Sequence, residues 1–80
     1  MAIVRLFASA REAAGTGRDD LPGDTVGDVL QAARERYGAT FGEVLRACRI
    51  WVNGEPADDT SPVGEHDEVA ILPPVSGGAS

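Results

Sequence analysis

The stretch Glu68-Val69-Ala70-Ile71-Leu72-Pro73-Pro74, near the carboxyl end of the chain, decides the fold. Its apolar run Val69–Leu72 has the length and composition of a buried strand. Pro73 and Pro74 fix the backbone φ angle and have no amide hydrogen, so the strand should end there and the chain should leave the sheet extended. The sequence therefore predicts a strand that leads directly into a projecting tail.

The tail itself reads Val75-Ser76-Gly77-Gly78-Ala79-Ser80. Only Val75 has apolar bulk, and Gly77 and Gly78 have no Cβ atom, so this segment can enter a passage too narrow for ordinary side chains. The alternative is a frayed terminus, which is the usual behaviour of Gly- and Ser-rich chain ends. We expect a folded domain of residues 1–74, followed by a flexible tail of residues 75–80.

A second apolar strand is predicted at the other end of the chain. Residues Ala2–Phe7 alternate so that Val4 and Leu6 share one face. This strand and Val69–Leu72 are the most apolar in the sequence, so we expect them side by side at the centre of a sheet. If they are parallel, the chain between them provides the crossover that parallel strands need.

One long helix is predicted within that crossover. Thr25 is suited to cap its first turn, and Gly38 is suited to end it. Its apolar stripe consists of Val26, Val29, Leu30, Ala33 and Tyr37. The shorter predicted elements are a helical turn at Ala10–Ala14 capped by Ser9, an edge strand at Thr16–Leu21, a short helix capped by Thr40, a strand at Arg49–Val52, a tight turn at Asn53-Gly54 and a return strand at Glu55–Ala57. The resulting fold class is α+β, with one main helix across a mixed sheet of about four to five strands.

Composition and charge narrow the classes of partner. The 80 residues suffice for one domain, and a hydrophobic content of 42% with 25% charged residues is typical of a globular protein. Thirteen acids oppose seven arginines, and no lysine is present, which gives a net charge of −6. An acidic surface repels phosphates, so we expect no nucleic-acid partner and favour a basic protein partner.

The sequence also limits the cellular compartment of the protein and the side chains that could take part in catalysis. Cys48 is the single cysteine, and no stretch is long and apolar enough to cross a membrane, so we expect a cytoplasmic protein without a membrane partner. Cys48 falls on an apolar helix stripe and His66 falls in an acidic turn, and neither has an evident catalytic partner. Adjacent acids such as Asp58-Asp59 are typical of solvated loops. We therefore expect no metal site and no catalytic group in the body of the domain.

The surface beside the tail is the remaining candidate site. With one long helix available, only one face of the sheet is expected to be well covered. Phe7, Trp51 and Leu72 are then predicted to form a partly exposed apolar patch, as at a protein interface. The alternative is that loops cover these three side chains.

Several stretches of this sequence resemble one family of proteins. They are Leu6-Phe7-Ala8 with Arg11–Gly15, Thr25–Leu30, Val52-Asn53-Gly54, and the ending Asp67–Gly78. Together they resemble the ThiS-MoaD family of ubiquitin-like β-grasp sulfur carriers, which includes the small subunits of molybdopterin synthase. The resemblance covers nearly the whole chain. A lone Gly-Gly pair is weak evidence, but the pair in register with the strand, the two prolines and the N-terminal motif is specific.

The resemblance implies a role for the terminus. An E1-like activating enzyme would use ATP to adenylate the carboxylate of Gly78, and sulfur transfer would convert it to a thiocarboxylate. The large subunit of molybdopterin synthase would then receive the tail, and sulfur would pass to a pyranopterin precursor of the molybdenum cofactor. The chain itself would bind no cofactor and would not be an enzyme by itself. The implied partner-binding residues are Phe7, Trp51, Leu72, Pro73, Pro74, Val75, Ser76 and Gly77.

One departure from the family pattern affects this expectation. Ala79 and Ser80 follow Gly78, whereas carriers of the family work with glycine at the terminus. Either a processing protease removes the two residues, or they were added for expression. Other functions also remain open: sulfur carriage for thiazole, cysteine, tRNA thiolation or a secondary metabolite; modification of target proteins through Gly78; or a binding module whose tail has no role.

Overall fold

The computed structural model describes residues 1–74 of the chain. Five strands form one sheet, and three helices accompany it. The strands are β1 (Ala2–Leu6), β2 (Arg18–Leu21), β3 (Arg49–Val52), β4 (Glu55–Pro56) and β5 (Glu68–Leu72), and the helices are α1 (Ala8–Ala14), α2 (Val26–Tyr37) and α3 (Ala39–Leu45). The prediction of a flexible tail concerns residues 75–80, which lie outside the described residues.

The sheet is mixed, with strand order β2-β1-β5-β3-β4. β1 and β5 are parallel, with Val4 opposite Val69 and Leu6 opposite Ile71, while the other neighbouring pairs are antiparallel. The predicted central pairing of the two most apolar strands is thereby confirmed. The parallel register also brings the carboxyl ends of both strands to the same edge of the sheet.

The core lies between one face of the sheet and the helices. In β1 and β5 every second side chain is buried, as expected for strands with one covered face. The fully or nearly fully buried strand residues are Ala2, Val4, Leu6, Leu21, Val69 and Ile71. They form a single cluster with the helix residues Ala10, Val26, Val29, Leu30, Ala33, Phe41 and Leu45, together with Val63.

The long helix α2 begins and ends as the sequence predicts. The Thr25 hydroxyl accepts a hydrogen bond from the Asp28 amide at 3.2 Å, and Gly38 follows the last helical residue. Two further amides of the first turn are satisfied by the loop before β5, because Val26 donates to the carbonyl of Ser61 and Gly27 to that of Asp59, both at 2.9 Å. This loop therefore fixes the start of α2.

Two predicted helix caps are wrong. Helix α1 begins at Ala8, so Ser9 lies inside the helix and the residue before the helix is Phe7. Helix α3 likewise begins at Ala39, which leaves Thr40 inside it. A side-chain cap must come from the residue before the first helical one, and neither helix has a capping side-chain bond.

The Asn53-Gly54 turn joins β3 to the short edge strand β4 as predicted. Both residues have positive φ, 51° and 83°, as a type I′ hairpin turn requires. The Asn53 side chain also binds the start of β5, since its Oδ1 accepts from the Glu68 amide and its Nδ2 donates to Asp67 Oδ1, both at 2.9 Å. This side chain therefore joins the hairpin to the central strand.

No helix within residues 1–74 is long and apolar enough to cross a membrane.

Candidate partner-binding surface at the end of the central strand

The sheet face opposite the helices consists of the side chains that alternate with the core residues. We call it the open face, and its members are Ile3, Arg5, Arg18, Asp20, Arg49, Trp51, Glu68, Ala70 and Leu72. Its large apolar side chains, unlike those of the covered face, are not among the core residues or those packed against the core. The open face is thus a surface of the folded domain rather than a second interior.

The strand register places the apolar members of the open face next to one another. Trp51 lies directly opposite Ala70 in the antiparallel pairing of β3 and β5. Leu72 is two residues farther along the same strand, on the same face, and lies opposite Arg49. Trp51, Ala70 and Leu72 are all half-buried. They form a continuous apolar strip that runs along β5 towards the tail.

Phe7 extends this strip at the end of β1. Its backbone is extended, with φ −126° and ψ 152°, and its amide donates to the Ile71 carbonyl at 3.3 Å, so it continues the parallel ladder beyond Leu6. In that register Phe7 comes beside Leu72. Its side chain is 40% exposed, one of the two exposed large apolar side chains in residues 1–74. The structure therefore brings together the three residues that the sequence predicts as a patch, and their role as a partner-binding site stays a prediction.

The tail leaves the sheet at the same place. β5 ends at Leu72, and half-buried Pro73 and exposed Pro74 follow without strand structure, as predicted. We call the edge at which β1 and β5 end the exit edge. The remaining predicted site residues, Val75, Ser76, Gly77 and Gly78, lie outside the described residues.

Cys48 and Asp58, two polar residues that the sequence analysis considers, have structural roles. Cys48 is half-buried, its Sγ donates to the Val44 carbonyl at 3.3 Å, and burial raises the pKa of its thiol, which keeps it protonated and poorly nucleophilic at neutral pH. Asp58 accepts from the amide and hydroxyl of Thr60, and these hydrogen bonds lower the pKa of its carboxyl. Both side chains therefore form hydrogen bonds with nearby backbone groups.

Asp19 and Asp20 are adjacent in β2, and their side chains lie on opposite faces of the sheet. Asp19 faces the helices, where its Oδ2 accepts from the Tyr37 hydroxyl and lies 3.2 Å from Arg36 Nε. Asp20 lies on the open face opposite Ile3. The sequence offers no signal for the Asp19–Tyr37 contact, because the two residues are far apart in the chain and meet only through packing.

Within residues 1–74, no group of three or more His, Cys, Asp or Glu side chains is arranged to hold a metal ion, and no pocket is found. A small-molecule site needs a concave cavity that encloses most of its ligand. The apolar strip beside the exit edge is partly exposed apolar surface, of the kind that is common at protein interfaces.

Comparison with known proteins identifies the family of this chain and several similar proteins. Residues 4–78 match the model of the ThiS family, so the match includes Gly77 and Gly78 and ends before Ala79. The molybdopterin synthase sulfur carrier subunit of Phaeosphaeria nodorum is 35% identical, over 90% of this chain and 84% of the relative. Small archaeal modifier protein 1 of Haloferax volcanii is 39% identical, over 92% of this chain and 97% of the relative.

The fold agrees with a solved structure. The solution structure of small archaeal modifier protein 1 from Methanosarcina acetivorans superimposes with a TM-score of 0.84 at 33% identity, over 96% of this chain and 95% of that chain. This likeness, together with the mixed five-stranded sheet and its helices, confirms the predicted ubiquitin-like β-grasp fold.

Proposed function

This chain belongs to the ThiS family of small sulfur carriers, and from that membership we propose that it is the sulfur-donating small subunit of a molybdopterin synthase. Its reactive group is the carboxylate of Gly78, which must first be freed by removal of Ala79 and Ser80. An activating enzyme adenylates this carboxylate with ATP. Sulfur then replaces the adenylate and gives a thiocarboxylate, which the large synthase subunit uses to deliver sulfur to the pyranopterin precursor.

The single observation that carries this proposal is the geometry at the end of the central strand. Pro73 and Pro74 follow β5 at the exit edge, and Leu72, the last residue of β5, belongs to the apolar strip together with Phe7 and Trp51. A partner that holds this strip also lies next to Pro74, from which the sequence continues to Gly78, and binding energy from the folded domain can then help to position the reactive terminus. The match to the family model supports Gly78 as the working terminus, because it extends to residue 78.

The first test is the intact mass of protein recovered from its native host. We expect a chain that ends at Gly78, part of it heavier by the exchange of one oxygen for sulfur. A chain that always retains Ala79 and Ser80, without any sulfur-loaded form, would contradict sulfur carriage. Alkylation of the recovered protein with iodoacetamide gives an independent check, since a thiocarboxylate reacts and a carboxylate does not, and a Cys48→Ser variant removes the competing thiol.

The second test assigns the pathway. The thiocarboxylate form is mixed with a molybdopterin synthase large subunit and the pyranopterin precursor, and product formation is followed. Turnover supports the molybdenum cofactor pathway. If the charged carrier is inert here but supplies sulfur to a thiazole, cysteine or tRNA-thiolating system, the carrier chemistry stands and the pathway is wrong.

A second candidate function, protein modification, is favoured by a specific relative. The Haloferax volcanii relative is named a modifier protein and is 39% identical to this chain. In that case Gly78 would be joined to lysines of other proteins. The sequence has no lysine, so this chain offers no lysine side chain of its own as an acceptor. Arg49 is the last trypsin site before Gly78, so trypsin would leave residues 50–78 of this chain on a modified lysine. Host proteins that carry this branch would identify this function, and their absence from cells that contain the sulfur-loaded form would exclude it.

A further inference from the structure

The charged residues of this acidic protein are divided unevenly between the two ends of the sheet. The edge opposite the exit edge carries the loops before α2, between β3 and β4, and before β5. The acids in these loops are Asp24, Asp58, Asp59, Glu65 and Asp67, Glu55 lies next to them as the first residue of β4, and no arginine lies among them. That edge of the domain is therefore strongly acidic.

The exit edge, by contrast, carries positively charged residues. Arg18 is the first residue of β2 and Arg49 is the first residue of β3, and both antiparallel strands begin where β1 and β5 end. Arg49 lies opposite Leu72, and Arg18 lies opposite Arg5, so the cations lie on both sides of the apolar strip. Both Arg18 and Arg49 are exposed. Against a net charge of −6 for the whole chain, this is a local reversal of sign.

The three arginines of the open face are not equivalent. Arg5 NH1 lies 3.4 Å from Glu68 Oε2, so its charge is partly compensated within the domain. Among residues 1–74, no carboxylate lies within salt-bridge distance of Arg18 or Arg49, although both are charged at all physiological pH values. These two guanidinium groups are thus available to a partner in the described part of the chain.

We propose that the open face docks on a protein surface that is apolar at its centre and has carboxylates opposite Arg18 and Arg49, and that this surface belongs to the activating enzyme that receives the tail. The inference rests on the proposed function, because it assigns the partner chemistry of that same site. Arginine forms paired hydrogen bonds with carboxylates, and opposite charges accelerate association and set its orientation. An acidic partner attracts the exit edge and repels the opposite edge. The carrier should therefore approach with its exit edge facing the partner.

This assignment revises the expectation drawn from composition. The net charge alone favours a basic partner. A partner contacts only one face of the domain, however, and the charge of that face can differ in sign from the net charge. A nucleic acid is the other polyanion that arginines beside an aromatic side chain can bind. The acidic residues over the rest of the domain disfavour it, because a long phosphate backbone would meet them as well.

The test compares charge reversals on two sides of the domain. Arg18→Glu and Arg49→Glu, singly and together, alter the exit edge, and Arg34→Glu changes the net charge as much as either single variant but on the exposed side of α2, where the Arg34 guanidinium donates a hydrogen bond to Gln31 and forms no ion pair among the described residues. Association of the trimmed chain with the adenylating enzyme of its own host is measured by surface plasmon resonance at low and high salt. We expect the double variant to associate at least about tenfold more slowly at low salt, with the difference shrinking as salt is added, and Arg34→Glu to stay within about twofold.

Several outcomes would overturn the proposal. Equal losses for all variants would show a net-charge effect without a defined face, and unchanged association of the double variant would show that the arginines face no carboxylates. Binding of labelled single-stranded RNA that the double variant loses would assign the arginines to nucleic acid, and a concentration-dependent dimer that it loses would assign them to a second copy.

Two controls keep these results interpretable. Arg18→Gln and Arg49→Gln remove the charge without introducing a like charge beside other acids, and they must show the same order of effects. ATP–pyrophosphate exchange of the wild-type chain is measured in parallel. If the wild-type chain supports exchange while the variants associate normally, the docking inference is wrong and the proposed function stands. If the wild-type trimmed chain supports no exchange, the proposed function fails, and the inference that rests on it fails as well.

Discussion

Tyr37 donates a hydrogen bond from its hydroxyl to the Oδ2 atom of Asp19, and this contact joins the end of α2 to the edge strand β2. Arg36 adds an ion pair to the same oxygen atom, with its Nε at 3.2 Å. The Tyr37 ring also meets Phe41 of α3 edge-on, with ring centroids 5.0 Å apart. One aromatic residue therefore connects the sheet to two helices.

We expect Tyr37→Phe to lower the free energy of unfolding by about 1–2 kcal/mol, because it removes a hydrogen bond to a charged group and retains the ring. Urea unfolding followed by circular dichroism measures the change. Asp19→Asn, which keeps an acceptor oxygen but loses the charge, should cost part of that amount. A loss below a few tenths of a kcal/mol for Tyr37→Phe would mean that water replaces the hydroxyl at no cost.

The same pair predicts a stability change at both ends of the pH range. The hydrogen bond from Tyr37 is the main cause that lowers the pKa of Asp19 below its ordinary 3.8, so its contribution is present above that pH and is lost as the pH falls further. Burial, and then the bond to Asp19, raises the pKa of Tyr37 above its ordinary 10.0, so its contribution is present below pH 10.0 and is lost as the pH rises beyond it. Thermal melts from pH 2 to 11 should show an alkaline decline in the wild type that is smaller in Tyr37→Phe, in which the contribution of the half-buried Cys48 thiol remains.

Two glycines should respond oppositely to alanine. Gly23 has a φ of +148°, and an added Cβ would lie 2.7 Å from the Val29 amide nitrogen, within a helix that cannot give way. We expect Gly23→Ala to lower the melting temperature by at least about 10 °C. Gly42 lies in α3 with its nearest neighbouring atom 4.0 Å from such a Cβ, so Gly42→Ala should raise the melting temperature by about 2–6 °C. A destabilised Gly42→Ala would contradict the packing described for α3.

We expect Asn53 to stabilise the domain through the hydrogen bonds of its side chain as well as through its positive backbone φ angle. Asn53→Gly keeps the positive φ of the turn but loses the bonds to Asp67 and Glu68, whereas Asn53→Ala loses both features. We expect melting temperatures in the order wild type, Asn53→Gly, Asn53→Ala, with the alanine variant about 5–10 °C below wild type. If glycine matched or exceeded the wild type, the connection from the hairpin to β5 would contribute nothing.

Removal of Gly78 separates function from stability. In a chain trimmed to end at Gly78, deletion of this residue should abolish adenylation and sulfur transfer and change the melting temperature by less than about 2 °C. Pyrophosphate exchange and differential scanning calorimetry make the two measurements. A large drop in melting temperature would show that the tail is packed structure, and retained activity would place the reactive carboxylate elsewhere.

Most of the correct predictions concern parts of the fold that local sequence determines, and the pairing of β1 with β5 was predicted from their apolar composition. Thr25 and Asp28 are three residues apart and form their cap within one turn, and Asn53-Gly54 produces its hairpin through its own backbone angles. The open face was predictable in the same way, because strict alternation in β5 assigns Leu72 to the side opposite Ile71.

The predictions that failed depend on long-range contacts. Ser9 was expected to cap α1, but the helix begins two residues earlier, at Ala8, because the Phe7 amide donates to the Ile71 carbonyl of a strand from the other end of the chain. Ala8 then takes a positive φ of 49° to turn directly from strand into helix, which no local signal indicates. The arginines at the exit edge were missed for a related reason, since Arg18 and Arg49 become neighbours of one strip only through the strand order.

The parallel pairing of β1 with β5 has a consequence for synthesis of the protein. These strands lie at opposite ends of the chain, so the centre of the sheet cannot form until β5 has been translated, and closing so long a loop makes this a late step of folding. Residues 73–78 are the next to be made. An incomplete chain that lacks β5 has no central strand and remains a substrate for proteolysis. The topology thus acts as a check on newly made copies, because the open face cannot form before β5 and everything that precedes it have been translated.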